Sequence, residues 1–120
     1  MTTELVLNSE WEAEDSIFLQ VLAHILAGQN REQAACDLLE FALSEDPRNG
    51  DIMRALCGVY GLLERHDDAI TMGDRALSAG QSGEDIARIK LVQSTAHQAR
   101  GRTTEAELMM RDYITQRDQA

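Results

Sequence analysis

The sequence predicts an all-α protein, an array of three helical hairpins that forms a short right-handed solenoid. Apolar residues recur with helical spacing through nearly the whole chain, and the interruptions fall at Gly, Asn, Asp and Pro. Aromatic residues make up only 4% of the 120 residues, so the core must consist mainly of Ala, Leu, Ile and Met, which favour helices. No linker divides the chain, and residues 1–120 are expected to form one domain with hairpins over about 11–46, 47–80 and 83–117.

Capping motifs, glycines and a proline mark the expected helix ends. The second helix stops before Pro47, because proline disfavours helix at the preceding residue. The polar stretch from Glu64 to Asp68 is expected to separate the third and fourth helices, and Gly28 and Gly101 to end the first and fifth. Four helices are predicted to begin at capping pairs: Ser9 with Glu12, Asn30 with Gln33, Ser82 with Asp85, and Thr104 with Glu107. The apolar face of the first helix comprises Ile17, Phe18, Val21, Leu22, Ile25 and Leu26.

The hairpins are related by an internal repeat. Aligning their second helices places Ala35, Ala69 and Ala106 in register, 34 and 37 residues apart. A helix-turn-helix unit of 34 residues has the tetratricopeptide period, and the three extra residues of the last unit lie around Gly80 to Gly83.

The repeat also predicts where helices cross closely. Its pattern requires small residues at the crossing, and Ala23 and Cys57 occupy that position in the first helices of units one and two. Gly73 departs from the pattern, since a large residue is expected four positions after each alanine of the register. We expect Met72, one position earlier, to fill the space beside it.

Charge excludes several classes of function. Eleven Lys and Arg against 21 Asp and Glu leave a net charge of −10, which repels a phosphate backbone, so nucleic acid is not expected as a partner. No apolar run is long enough to span a membrane and the amino end lacks the basic region of a signal peptide, so the expected compartment is the cytoplasm. Cys36 and Cys57 are interpreted as reduced core thiols.

No pattern of residues indicates catalysis, a metal or a cofactor. His24, His66 and His97 have no ligand partner at a recognised spacing, and no phosphate-binding loop or nucleophile motif is present. His66, followed by two aspartates, is interpreted as part of a solvated turn because sequence neighbours point in different directions. The chain is therefore not expected to be an enzyme.

The candidate site is a partner-binding groove on the first helices of the three units. In stacked tetratricopeptide hairpins these helices line a concave face that binds extended or helical peptides. The register places ten residues on that face: Gln20, His24, Asp51, Arg54, Gly58, Gly61, Leu62, Leu91, Thr95 and Gln98.

Two features leave alternatives open. Gly58 and Gly61 lie three residues apart inside a helix, where each costs roughly 1 kcal/mol relative to alanine; they leave room either for a neighbouring helix of the same chain or for a partner. The apolar cluster of Trp11, Ile17, Phe18 and Val21 either covers the amino end of the array, which is the favoured interpretation, or forms a second interface.

The chain resembles the small acidic tetratricopeptide chaperones of bacterial type III secretion, and is most similar to the YscY type. The resemblance covers nearly the whole length and rests on the GQNREQAACDLL segment after Ala27, the turn from Glu45 to Pro47, and the GRTTEAELMMRDY segment that ends at Tyr113.

The resemblance implies a non-enzymatic cytoplasmic chaperone that holds a small exported partner of the YscX type and presents it at the export gate. It implies a heterodimer or small hetero-oligomer and no membrane insertion. Related chaperones of needle subunits or pore-forming translocators have similar hairpins. A generic scaffold that clamps a carboxylate tail is a further alternative, for which Arg54 and Arg88 are the available cations.

Overall fold

The computed structural model describes residues 12–119, and within this range the chain is entirely helical between turns. Six α-helices follow one another: α1 Ala13–Gly28, α2 Glu32–Glu45, α3 Gly50–Leu62, α4 His66–Ser78, α5 Gly83–Ala99 and α6 Thr103–Gln119. Consecutive helices pack as hairpins, α1 with α2, α3 with α4 and α5 with α6, in a body of 54 × 27 × 21 Å. The predicted fold class, an all-α array of three hairpins, is confirmed.

The crossing point of each hairpin follows the predicted repeat. In unit one Ala23 and Ala35, twelve residues apart, are both buried. At the same place in unit two, the Cys57 thiol donates to the Ala69 carbonyl oxygen at 3.3 Å. In unit three the Ser94 hydroxyl donates to the Ala106 carbonyl oxygen at 2.9 Å. Small side chains therefore let the two helices approach, and two of the three pairs gain a hydrogen bond.

The turn inside each hairpin has the same backbone shape. Asn30, Glu64 and Gly101 have φ of 61°, 58° and 76°, and they are spaced by the repeat. The next residue in each turn is an arginine whose backbone oxygen accepts from the alanine of the register, at 3.1, 2.9 and 3.0 Å. The predicted Asn30 and Gln33 capping box is therefore wrong, because Asn30 takes the left-handed turn and the Gln33 amide donates to Asp37.

The remaining helix starts agree in part with the predicted ones. Ser82 is the N-cap of α5 and its hydroxyl oxygen accepts from the Asp85 backbone N–H at 3.3 Å, as expected. Thr104 does not cap α6, because that helix already begins at Thr103. Glu12 is the N-cap of α1 and its backbone N–H donates to Asp15, whereas Ser9 lies outside the described residues. α4 begins at His66, so three residues of the expected polar turn, His66 to Asp68, lie in its first helical turn, and the interpretation of His66 as a turn residue is wrong.

The core differs from the prediction at Gly73 and along α1. A Cβ on Gly73 would lie 2.6 Å from the Gln93 side-chain nitrogen, so the buried Gln93 of α5, and not Met72, fills that space. Its amide donates to the Ile70 carbonyl at 3.0 Å and to Asp74 at 2.9 Å, which ties α5 to α4. On α1 only part of the predicted apolar face turns inward. Leu22 and Leu26 are partly buried, and four residues are exposed: Ile17, Phe18, Val21 and Ile25.

Candidate functional site: a groove across the first helices

The first helices of the three units lie side by side and form the walls and floor of an apolar groove. α3 is in the middle, in contact with α1 on one side and α5 on the other. The groove has a volume of about 420 Å³. Its lining is largely aliphatic, from α1, α3 and α5 with Leu39 of α2: Gln20, Ala23, His24, Ala27, Leu39, Arg54, Ala55, Cys57, Gly58, Val59, Leu62, Arg88, Ile89 and Val92.

The structure separates the two glycines of α3. A Cβ built on Gly58 would meet no atom within 4 Å, so the missing side chain leaves open space in the groove floor. A Cβ on Gly61 would lie 3.2 Å from Cγ1 of Val92 on α5. Gly61 therefore permits close approach of two helices of the same chain, which is one of the two alternatives open at the level of sequence.

Five of the ten predicted groove residues line the groove: Gln20, His24, Arg54, Gly58 and Leu62. The structure does not bring the other five into it. Gly61 packs against α5, Asp51 pairs with Arg54 outside the lining, and Leu91 is exposed elsewhere on α5. Thr95 and Gln98 line a different hollow, between α5 and α6.

Sequence reasoning missed most of the apolar lining. Ala55 and Val92 occupy equivalent positions of the repeat and line the groove, but neither was among the predicted groove residues. Ala23 and Cys57 were assigned only to the helix crossing. The available signal was the group of small side chains on one side of α3: Ala55, Cys57 and Gly58. These residues leave the floor low, so that larger neighbours such as Ile89 form the walls.

The cations of the groove are already paired with acids of the same chain. Arg54 donates to Asp51 at 2.8 Å, to the Gln81 side-chain oxygen Oε1 at 2.9 Å and to Asp85 at 3.3 Å. Arg88 pairs with Glu84 at 2.7 Å and with Asp85 at 3.6 Å. Little positive charge is therefore left for an incoming anion.

Burial raises the pKa of two thiols and one phenol near the helix crossings. Burial raises the pKa of the Cys57 thiol, which borders the groove, to about 12. Burial and the neighbouring Glu40 raise the pKa of Cys36 to about 11, and burial with the 2.7 Å hydrogen bond to Glu40 raises the pKa of Tyr60 well above its usual range. Both cysteines are free. A thiolate nucleophile is thus disfavoured at both positions.

The three histidines lie on three different helices. His24 is on the groove wall, His66 begins α4, and the His97 ring nitrogen Nδ1 accepts from Arg102 at 3.0 Å. Among the described residues no group of three His, Cys, Asp or Glu side chains could hold a metal ion. Within the same range, no helix is both long and apolar enough to cross a membrane.

Comparison with known proteins supports the fold. No protein-family model and no curated protein matches the sequence. The crystal structure of MamA, a tetratricopeptide-repeat protein, is similar to this chain with a TM-score of 0.77 at 21% sequence identity. The match covers 96% of this chain but only 63% of the MamA chain. The similarity therefore establishes a tetratricopeptide-like arrangement of hairpins, and the chain corresponds to part of the length of MamA.

Proposed function

We propose that this protein is a non-enzymatic chaperone that binds an apolar helical segment of a partner protein in the groove formed by α1, α3 and α5. The observation that carries the proposal is the open floor at Gly58, bordered by small and aliphatic side chains on three helices. An amphipathic helix that lays its apolar face into a hydrophobic groove is a recurring mode of peptide recognition.

The size of the groove favours the side chains of one helix face. One turn of a helix about 10–12 Å across, with a pitch of about 5.4 Å, occupies roughly 420–610 Å³, so several turns are much larger than the groove. The groove volume is about 420 Å³. A longer helix would therefore rest along the groove and insert only its apolar side chains, while its polar face stays in water. Covering such a face keeps an aggregation-prone partner soluble.

The electrostatics favour this mode over a carboxylate clamp. A clamp needs unpaired cations that converge on the bound carboxylate. Arg54 and Arg88 share Asp85, and each has a second acidic partner within 2.8 Å. The generic scaffold that captures a carboxylate tail is therefore the less favoured alternative.

The finer part of the proposal rests on the resemblance of the sequence to type III secretion chaperones of the YscY type. The partner is then a small exported protein of the YscX type, held in the cytoplasm as a heterodimer or small hetero-oligomer and delivered to an export-gate component. Needle subunits and translocator proteins are the alternative cargoes. No nucleic acid, membrane insertion, cofactor or catalytic step is part of the proposal, and the net charge of −10 keeps the complex soluble.

Co-expression with candidate cargoes tests this assignment. The chain is co-expressed separately with a YscX-like protein, a needle subunit and a translocator from the same secretion system. A YscX-like cargo is expected to co-purify in a complex of defined mass and to raise the melting temperature, since ligand at 100 times Kd adds about 2.7 kcal/mol to stability. Complex formation with only one of the other two would reassign the cargo. No complex with any of the three would contradict the chaperone assignment.

A further inference from the structure

The outer face of α1 carries an apolar surface whose counterparts in the other two units are buried. Phe18 is 64% exposed, whereas its repeat equivalents Ile52 and Ile89 are 0% and 1% exposed. Ile25 is 48% exposed, and its equivalents Val59 and Ala96 are 6% and 1% exposed. These are the same structural positions in three copies of one unit, so the difference arises from what covers them.

The covering element in units two and three is the second helix of the preceding unit. α3 packs against α2, and α5 packs against α4. α1 has no such neighbour among residues 12–119. The outer face of α1 is defined here by Phe18, Val21 and Ile25. At Phe18 and Ile25 it has the composition of an inter-unit interface, and residues 12–119 do not supply the second half of that interface.

Charged contacts in the two complete interfaces indicate what the covering helix carries. The arginine that follows each left-handed turn reaches an acid on the preceding second helix: Arg65 lies 3.9 Å from Glu40 of α2, and Arg102 lies 3.4 Å from Asp67 of α4. Arg31 is the equivalent residue of unit one. Its side chain has no ion pair with any residue in the described part of the chain.

We propose that the outer face of α1 is a second docking surface, which binds an amphipathic helix of a partner protein with a carboxylate opposite Arg31, packed on α1 as α2 packs on α3. The surface is separate from the groove. A second copy of this chain would offer its free second helix, α6, but fits poorly. In α6 the positions equivalent to Glu40 and Asp67 are Arg111 and Thr104. A copy that packs as α2 packs on α3 would place Arg111 beside Arg31, and one that packs as α4 packs on α5 would place Thr104 there, so neither supplies the acid.

A peptide with the sequence of α2 is a suitable probe, because α2 already covers the equivalent face of α3. The labelled peptide spans residues 31–46 with Cys36→Ala, and its binding to the full chain is followed by fluorescence anisotropy. We expect saturable binding that weakens about tenfold with Phe18→Asp, which corresponds to about 1.4 kcal/mol. Leu108→Asp, at an exposed leucine of α6 outside this face, is the matched control and should leave the affinity unchanged.

Charge reversal tests the specific pairing. The peptide with Glu40→Arg should bind the wild-type chain more weakly, and the Arg31→Glu chain should bind the original peptide more weakly. Combining the two changes should restore the affinity. Gly58→Phe, which fills the groove, should leave peptide binding unchanged, so that failure here is distinct from failure of the groove proposal.

Four results would overturn the proposal. The first is no saturable binding, and the second is binding that ignores Phe18→Asp or the charge at position 31. The third is binding only after deletion of residues 1–11, which would identify the chain's own amino-terminal segment as the cover. The fourth is concentration-dependent self-association in sedimentation that both Phe18→Asp and Met110→Asp abolish, which would identify a second copy.

Discussion

The two glycines of α3 are expected to respond differently to alanine. In a helix interior Gly→Ala adds about 1 kcal/mol of stability, because alanine loses less backbone freedom on folding. Gly58→Ala places its Cβ in open space and should give the full gain, about 4 °C in melting temperature for a domain of this size. Gly61→Ala places its Cβ 3.2 Å from Cγ1 of Val92, so α3 and α5 must separate by a few tenths of an ångström. The gain should be offset wholly or in part.

A double-mutant cycle with Val92→Ala isolates the contact. Removing Cγ1 of Val92 removes the atom that a Cβ at position 61 would meet. In the Val92→Ala background Gly61→Ala should therefore recover about 1 kcal/mol, as measured by urea unfolding monitored by circular dichroism. Gly58→Ala in the same background is the control and should keep its value. If Gly61→Ala stabilises the wild-type chain as much as Gly58→Ala does, the assignment of Gly61 to helix packing is refuted.

Three further predictions concern the helical scaffold. Glu64→Gly should stabilise the chain by about 1 kcal/mol, because Glu64 has φ of 58°, a conformation that glycine adopts without strain. Asn30→Gly should change the free energy of unfolding less, since asparagine tolerates this conformation. Urea unfolding of both variants measures the difference. Gly73→Ala should destabilise the chain by roughly 1 to 3 kcal/mol, because the added Cβ would overpack against Gln93. In a Gln93→Ala background that clash should be absent. An equal loss of stability in both backgrounds would argue against overpacking as the cause. The free energy of unfolding should fall as the pH rises above 9, because the unfolded chain releases the protons of Cys36, Cys57 and Tyr60 at lower pH than the folded chain. Below pH 9 the contribution of these three groups to stability should be fully present. Cys57→Ala should reduce the decline between pH 9 and 10.

The fold was predictable because its determinants are local. A small residue at each helix crossing and its recurrence after 34 and 37 residues appear directly in the sequence as Ala35, Ala69 and Ala106. The turns were less visible, since left-handed backbone at Gly101 and Asn30 follows common preferences but the same conformation at Glu64 does not. That turn forms because the Arg65 backbone N–H donates to the Tyr60 carbonyl oxygen at 2.9 Å, as its equivalents do in the other units.

The groove was only half predictable, because its outline depends on distances between helices. The repeat register places Gly61 on the same face as Gly58, but the approach of Val92 closes the space beside Gly61 alone. The extra residues of unit three also act at long range. Gln81 donates to the Gly50 carbonyl oxygen at 3.0 Å and accepts from Arg54 at 2.9 Å, so it holds the cation at the groove edge. Nothing in the spacing of the sequence indicates this contact.

The most direct test of the account is calorimetric titration of the purified chain with the proposed YscX-like cargo, comparing Gly58→Phe with Thr71→Phe. Both variants introduce the same side chain into a helix, the first into the open groove floor and the second at an exposed position of α4 outside it. The account predicts that both keep the wild-type circular dichroism spectrum, and that only Gly58→Phe loses at least tenfold in cargo affinity, about 1.4 kcal/mol. A folded Gly58→Phe that binds its cargo with wild-type affinity would contradict the claim that the groove holds the partner.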